Sequence, residues 1–183
     1  DAYIDNNSVM NCSIEGNRDI GGVVGAVANG VDSFSGNTVS DTTIAYETEK
    51  TYDSAGKIVS GRTGFAPDAT NNATNVTVTK LVTVSTAEQW SSALNATYSS
   101  DTNIKLANDI TLSGEWGAHS LNGSNNAKLV IDGNGKTIYG LTSSSCYNLG
   151  GFNSNGLVTN IGAGFSSVTF KNLTIKDANL TNN

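Results

Sequence analysis

The chain has 183 residues and a formal net charge of −6, and its 10 Lys and Arg are scattered among 16 Asp and Glu, so it has no basic stripe that could follow a phosphate backbone and nucleic acid is not an expected partner. No run approaches the ~20 apolar residues that a membrane-spanning helix needs. The 20 Gly, the single Pro and the many Asn, Thr and Ser favour short strands joined by turns, which predicts an all-β chain.

A short pattern of apolar and polar positions occurs three times. An apolar residue is followed by a β-branched residue, then by Asn or Asp, then by a second apolar residue, at constant spacing. The copies are Ile4, Val9, Asn11, Ile14; Phe34, Val39, Asp41, Ile44; and Phe170, Ile175, Asp177, Leu180. The first two copies lie 30 residues apart, which is typical of a solenoid built from stacked units. The shared Asn/Asp position predicts a turn or a ladder of side chains.

Composition divides the chain into three segments. Residues 1–61 consist of short apolar runs separated by Asn and Gly, which predict the terminal rungs of a β-solenoid unit. Residues 62–79 include the only proline, Pro67, and begin without apolar periodicity, so they predict a linker or a last irregular rung. Residues 80–183 then predict the capping helix and first rungs of another β-solenoid unit.

The two cysteines, Cys12 and Cys146, are too few for a disulfide framework or a zinc site. Cys12 occupies the same position of the repeat as Thr42 and Ala178, a small-residue position between apolar ones, which predicts a buried thiol. A disulfide between Cys12 and Cys146 stays open, because it depends on a Cα separation that sequence does not show.

The helix signal of the chain begins at Ser85. Ser85 and Glu88 have the spacing of a capping box. Five positions that follow fall on one helical face: Ala87, Trp90, Ala93, Leu94 and Thr97. A capped amphipathic helix ahead of a run of strands would cover the apolar end of a first rung, so it predicts the start of a β-solenoid.

The strands after this helix read IKLANDITL, LVIDGNGKTI and VTFKNLTIKDANL, and a glycine-rich IGGVVG stands at residues 20–25. This set resembles the right-handed parallel β-helix of pectin-lyase-like bacterial surface proteins, and the glycine motif is similar to repeats of the GLUG type. The resemblance covers most of the chain outside the linker. It implies an all-β fold, a right-handed parallel β-helix (solenoid) with one short capping α-helix near residues 86–97. It selects no activity, because members of this fold range from polysaccharide lyases to adhesin stalks.

Within this resemblance the order of the parts is unusual. Residues 1–61 look like the end of a solenoid and residues 80–183 like the beginning of one, so we expect a window cut from tandem units. The last rung, near residues 170–180, should then seek an edge partner. That partner would be the rung near residues 4–14 of its own chain or of a neighbour, through end-to-end or edge-strand self-association.

Motifs for chemistry are weak. Asp132–Lys136 reads DGNGK, which resembles part of a calcium loop but lacks that loop's later Gly and Glu, so a turn between two strands is the favoured interpretation. The acidic residues are scattered, although parallel strands could bring distant carboxylates together as a glycosidase requires. His119 has no triad motif around it and is expected in a loop. The sequence therefore assigns no catalytic residue, no metal ligand and no cofactor.

The two tryptophans suggest contacts with sugar rings. Trp90 lies on the apolar helix face and is expected in the core. Trp116 stands in a Gly-rich loop with Glu115 and His119, where exposure is expected, so it is the candidate ligand-binding residue.

These features predict a structural or adhesive segment of a repetitive bacterial cell-surface protein, extracellular or on the cell surface. Its face of Thr, Asn and Ser would suit weak multivalent contact with glycans or host surface ligands. The alternative is a polysaccharide-degrading enzyme, a lyase or a glycoside hydrolase, on a β-helix. A third hypothesis is a spacer without a ligand.

Overall fold

The computed structural model describes residues 3–17, 21–23, 35–47, 72–144, 147–149 and 152–181. The chain divides into two compact units, Asp1–Leu81 (unit 1) and Val82–Asn183 (unit 2). Strands dominate the described residues, with one helix in unit 2, so the all-β prediction is confirmed. Most of the IGGVVG motif, the first ten residues of the expected linker and Cys146 lie outside the described residues.

Unit 1 is built from short parallel strands. They are β1 (Ser8–Met10), β2 (Ser13–Gly16), β3 (Thr38–Ser40), β4 (Thr43–Tyr46), β5 (Asn72–Thr74) and β6 (Thr77–Val84), the last of which ends in unit 2. One sheet has the order β1-β3-β5, and in a second β4 pairs with both β2 and the first half of β6. Each successive run of chain therefore adds one strand to each sheet. We call such a run a layer; in unit 1 the layers are residues 3–16, 35–46 and 72–81.

The sequence repeat sets the register of unit 1. Val9 pairs with Val39 and Ile14 with Ile44, at the 30-residue spacing of the two copies. Asn11 and Asp41 both have positive φ, as does Asp177 in the third copy. Asn and Asp tolerate this left-handed conformation better than other residues with a Cβ, so the interpretation of their shared position as a turn is confirmed.

Unit 2 contains the helix α1 (Ala87–Leu94) and a longer series of strands. They are β7 (Thr97–Tyr98), β8 (Thr102–Leu106), β9 (Ile110–Thr111), β10 (Ser120–Gly123), β11 (Ala127–Asp132), β12 (Thr137–Tyr139), β13 (Thr142–Ser143), β14 (Tyr147–Leu149), β15 (Phe152–Ser154), β16 (Asn160–Ile161), β17 (Phe165–Lys171), β18 (Thr174–Lys176) and β19 (Asn179–Leu180). Parallel pairing gives the orders β7-β10-β16, β8-β11-β17, β9-β12-β18 and β13-β19, while β14 and β15 pair antiparallel. The layers of unit 2 are residues 97–111, 120–143 and 160–180.

The core of unit 2 consists of apolar columns that cross these layers. Ile138 pairs with Ile110 on one side and Ile175 on the other. Ile110 and Ile138 are buried, but Ile175 in the last described layer is 41% exposed. Burial is therefore complete only where a layer is covered on both sides, as expected for an open stack of strands.

Helix α1 covers the core of unit 2 but begins one residue later than its predicted cap. Thr86 is the N-cap, with its hydroxyl accepting from Gln89 N at 3.3 Å, while the Gln89 side chain accepts from Ser85 N at 2.7 Å. The Ser85–Glu88 capping box is therefore wrong. Thr86, rather than Ser85, has the extended backbone that precedes the first helical residue.

The buried face of the helix agrees with the predicted stripe at most positions. Trp90, Ala93 and Leu94 are buried, so the core position of Trp90 is confirmed. Thr97 does not belong to this face, because the helix ends at Leu94 and Thr97 is exposed in β7.

Cys12 is exposed, and the prediction of a buried thiol is wrong. Thr42, at the same position of the repeat, is buried because layers lie on both sides of it, whereas Cys12 belongs to the outer layer. The Cys12 thiol is free and donates to Met10 O at 3.2 Å.

The DGNGK segment forms the predicted turn. Asn134 and Gly135 have positive φ, and the Asp132 carboxylate accepts from Asn134 N at 2.8 Å. The turn joins β11 to β12, which lie in different sheets, so it changes the direction of the chain without forming a hairpin. Gly133 is required here because a Cβ would overlap the backbone of Asn172 and Leu173 in the next layer.

Candidate functional site

Trp116 lies in the core of unit 2, so its expected exposure is wrong. The indole is 9% exposed and its N–H donates to Leu157 O at 3.1 Å. One ring face stacks on His119, with ring centroids 4.0 Å apart and planes 8° from parallel. Loop composition gave no sign of this packing, because the partner Leu157 is 41 residues away in sequence. Contact between Trp116 and a ligand stays a prediction.

His119 forms a hydrogen-bonded pair with Ser91 of helix α1. Its Nδ1 lies 2.8 Å from Gly117 O, a carbonyl that can only accept, so Nε2 accepts from the Ser91 hydroxyl at 2.9 Å. Burial lowers the pKa of His119, partly opposed by the bond to Gly117 O, which keeps the ring neutral at pH 7. A neutral His that accepts from Ser is the arrangement of a base and a nucleophile. Here the ring is 5% exposed, so the pair ties the helix to the loop before β10.

Several carboxylates connect one layer to the next. Asp101 accepts from Lys128 N, Asp109 from Thr137 N and Glu115 from Ser144 N, each at 2.8 Å. Backbone donation, followed by donation from the Ser144 hydroxyl, lowers the pKa of Glu115. These acids are used in building the stack.

Within the described ranges, no group of three or more His, Cys, Asp or Glu side chains could hold a metal ion. No described helix is both long and apolar enough to cross a membrane.

Two rows of side chains lie on outward positions of the unit 2 sheets. The Tyr139 row consists of Thr111, Tyr139 and Lys176, which pair across β9, β12 and β18. Tyr139 is half-buried and flanks the buried Ile138, so its ring stands on the outer side of the strand. The alternation Thr137-Ile138-Tyr139 contained this signal, which sequence reasoning did not use.

The second row, the Asp132 row, consists of Lys105, Asp132 and Lys171. Lys171 Nζ lies 3.2 Å from Asp132 Oδ2, and Asn172 Nδ2 donates to Asp132 Oδ1 at 3.1 Å. Partial burial raises the pKa of Asp132, but the bonds from Asn134, Asn172 and Lys171 and the charge of Lys171 outweigh it, so the pKa is lowered. This carboxylate is ionised and fully partnered.

The last described layer carries an apolar groove of about 570 Å³, which we call the end groove. Its lining residues are 157–161 and 170–175. Ile161, Phe170 and Ile175 are each at least 40% exposed. The groove lies on the open side of β16, β17 and β18, the outer strands of their sheets among the described residues.

A family model described as "Putative pectate lyase-like adhesive domain" matches residues 81–183, which is more than half of the chain. Comparisons with curated proteins and with solved structures found no match.

Proposed function

The chain belongs to the pectate lyase-like adhesive domain family, and from this membership we propose that it is an adhesive segment of an extracellular or cell-surface bacterial protein that binds glycans weakly and at many points. The adhesive role follows from the family. Glycans as ligands, the location and the architecture below are our proposal.

We propose that the layers are turns of a parallel β-helix, closed by helix α1 at one end of unit 2. Each unit 2 layer contributes one strand to three parallel sheets in constant chain order, which supports this reading. Parallel strands of one sheet joined by a crossover are right-handed in about 98% of cases, so we propose a right-handed solenoid.

The Tyr139 row is the observation that carries the proposal of glycan binding. A sugar ring presents an apolar face and a rim of hydroxyls. The half-buried Tyr139 ring offers a flat apolar surface held in place by the sheet, with a hydroxyl of Thr111 and an ammonium of Lys176 on either side. Tyr139 fits this role better than Trp116, whose N–H is already donated and whose ring stacks on His119.

Enzymatic cleavage of a polysaccharide is the alternative, and the carboxylates favour it less. A glycosidase needs a general acid with a raised pKa. Among the described carboxyl groups with a shifted pKa, which are Glu88, Glu115 and Asp132, every shift is downward. Hydrogen bonds that favour the ionised form cause these shifts.

Affinity electrophoresis through gels that contain single polysaccharides tests the proposal. We expect retardation of the wild type by at least one polymer, about 2- to 10-fold weaker binding by Tyr139→Ala, and near-normal binding by Tyr139→Phe, because stacking contributes about 0.5–1.5 kcal/mol. Unchanged retardation of Tyr139→Ala would exclude the Tyr139 row. Shortened polymer after the run would favour the enzyme, and the absence of retardation would favour the spacer.

A further inference from the structure

We propose that the open side of the last layer binds the open side of the first layer of a second copy of this chain. In this contact β18 and β19 of one copy pair in parallel with β1 and β2 of the next. The contact does not involve the Tyr139 row, so assembly and glycan binding can succeed or fail separately.

The strand lengths and the turns of the two layers agree position by position. The repeat aligns Thr174–Lys176 with Ser8–Met10, so two three-residue strands face each other. Positive φ values occur on both sides of these strands, at Asn172 and Asp177 in one layer and at Asn6 and Asn11 in the other. Matching backbone bends allow the two layers to stack without distortion, as Val9 and Val39 do inside unit 1.

The existing contacts between layers specify the hydrogen bonds of the new one. Asp41 N donates to Thr74 O at 3.0 Å, and Thr43 N donates to Cys12 O at 2.9 Å. The equivalent bonds across the contact run from Asp177 N to Met10 O and from Ser13 N to Ala178 O.

A side-chain bond accompanies them. Asn75 Nδ2 donates to Asp41 Oδ1 at 3.0 Å, from the later layer to the earlier one. Asp177 and Asn11 reproduce this pair with the same polarity, because Asp177 is in the layer that would come first. The two sides therefore complement each other in the polar as well as the apolar positions.

Apolar surface lies on both sides of the proposed contact. Ile175 and Leu180 are 41% and 43% exposed on one side, and Met10 is 60% exposed on the other. One position is mismatched: Leu173 occupies the place at which Asn37 accepts from Asn7 N and Nδ2 within unit 1. We therefore expect a contact of moderate affinity, which depends on concentration.

Sedimentation of two variants and of their mixture tests the contact. Ile175→Lys and Val9→Lys each place a charge in one side of it, and we expect each to associate at least ~10-fold more weakly than the wild type. Thr174→Lys is the matched control, because it adds the same charge at an exposed position of the same strand.

The equimolar mixture gives the sharper result. Each variant keeps one intact side, so the mixture should form dimers and nothing larger, while the wild type forms longer assemblies or rings. A wild type that is monomeric at every concentration would overturn the proposal, as would equal loss of association in Thr174→Lys.

Cross-linking tests the register. Ala178 aligns with Cys12, and neighbouring strands are about 4.8 Å apart, within the Cα range of a disulfide. Ala178→Cys should give covalent oligomers under mild oxidation, and combining it with Cys12→Ser should abolish them. Thr174→Cys, which aligns with Ser8, is the control. Cross-links that persist without Cys12, or that form equally in the control, would contradict the register.

Discussion

The same substitution at two positions of one apolar column separates covered layers from the open one. Ile138 is 0% exposed between Ile110 and Ile175, whereas Ile175 is 41% exposed. Ile138→Ala removes a fully buried side chain and leaves a cavity, which costs about 2–5 kcal/mol. Ile175→Ala removes less buried surface and leaves a space that water can fill, so we expect a cost of roughly 1 kcal/mol.

Tryptophan fluorescence during urea unfolding measures this difference, because Trp90 and Trp116 both lie in the core of unit 2 and are the only tryptophans of the chain. The measurement is made at a concentration where light scattering shows monomers, so that association does not add to the stability of the open layer. We expect Ile138→Ala to lower the free energy of unfolding by about 2 kcal/mol more than Ile175→Ala does. Equal losses would refute the assignment of one covered and one open layer.

Two further predictions concern a turn and a buried base. Asp177 has a φ of 54°, so Asp177→Ala should be about 1 kcal/mol less stable than Asp177→Gly in the same urea assay; the reverse order would contradict a left-handed turn. Burial lowers the pKa of His119 in the folded chain, so the unfolded chain binds the proton more tightly and stability falls as the pH drops below the ordinary value of 6.5. Urea midpoints between about pH 7.5 and about pH 5 should fall more steeply in the wild type than in His119→Gln, and parallel profiles would count against this.

The repeat was readable from the sequence because each strand pairs with a neighbour at constant spacing in unit 1. In unit 2 the spacing changes from layer to layer. Thr102 pairs with Leu129, 27 residues on, while Leu129 pairs with Val168, 39 residues on. The strands and the buried face of helix α1 were still predicted, since alternation and helical periodicity are local signals. The pairing across the longer connection was not, because no local pattern encodes its length.

The errors have a common physical origin. Cys12 is exposed and Thr42 buried at one position of the repeat, because exposure depends on whether a layer covers the position and not on the residue itself. Trp116 is buried by Leu157, and His119 by the Trp116 ring. Each of these outcomes depends on contacts between segments distant in sequence. Composition of the surrounding loop indicated the opposite in both cases.

The carboxylates of unit 2 link architecture to function. Asp101, Asp109 and Glu115 each accept from a backbone N–H 27 to 29 residues later, so each is consumed in holding one layer to the next. A carboxylate in this position is best satisfied when ionised, and it would have to give up the layer contact in order to donate a proton. Stacking thus takes these acids out of catalysis and leaves the outward Tyr, Thr and Lys positions for contact. On such a scaffold, regularly repeated binding is available without any rearrangement, while acid catalysis would require one.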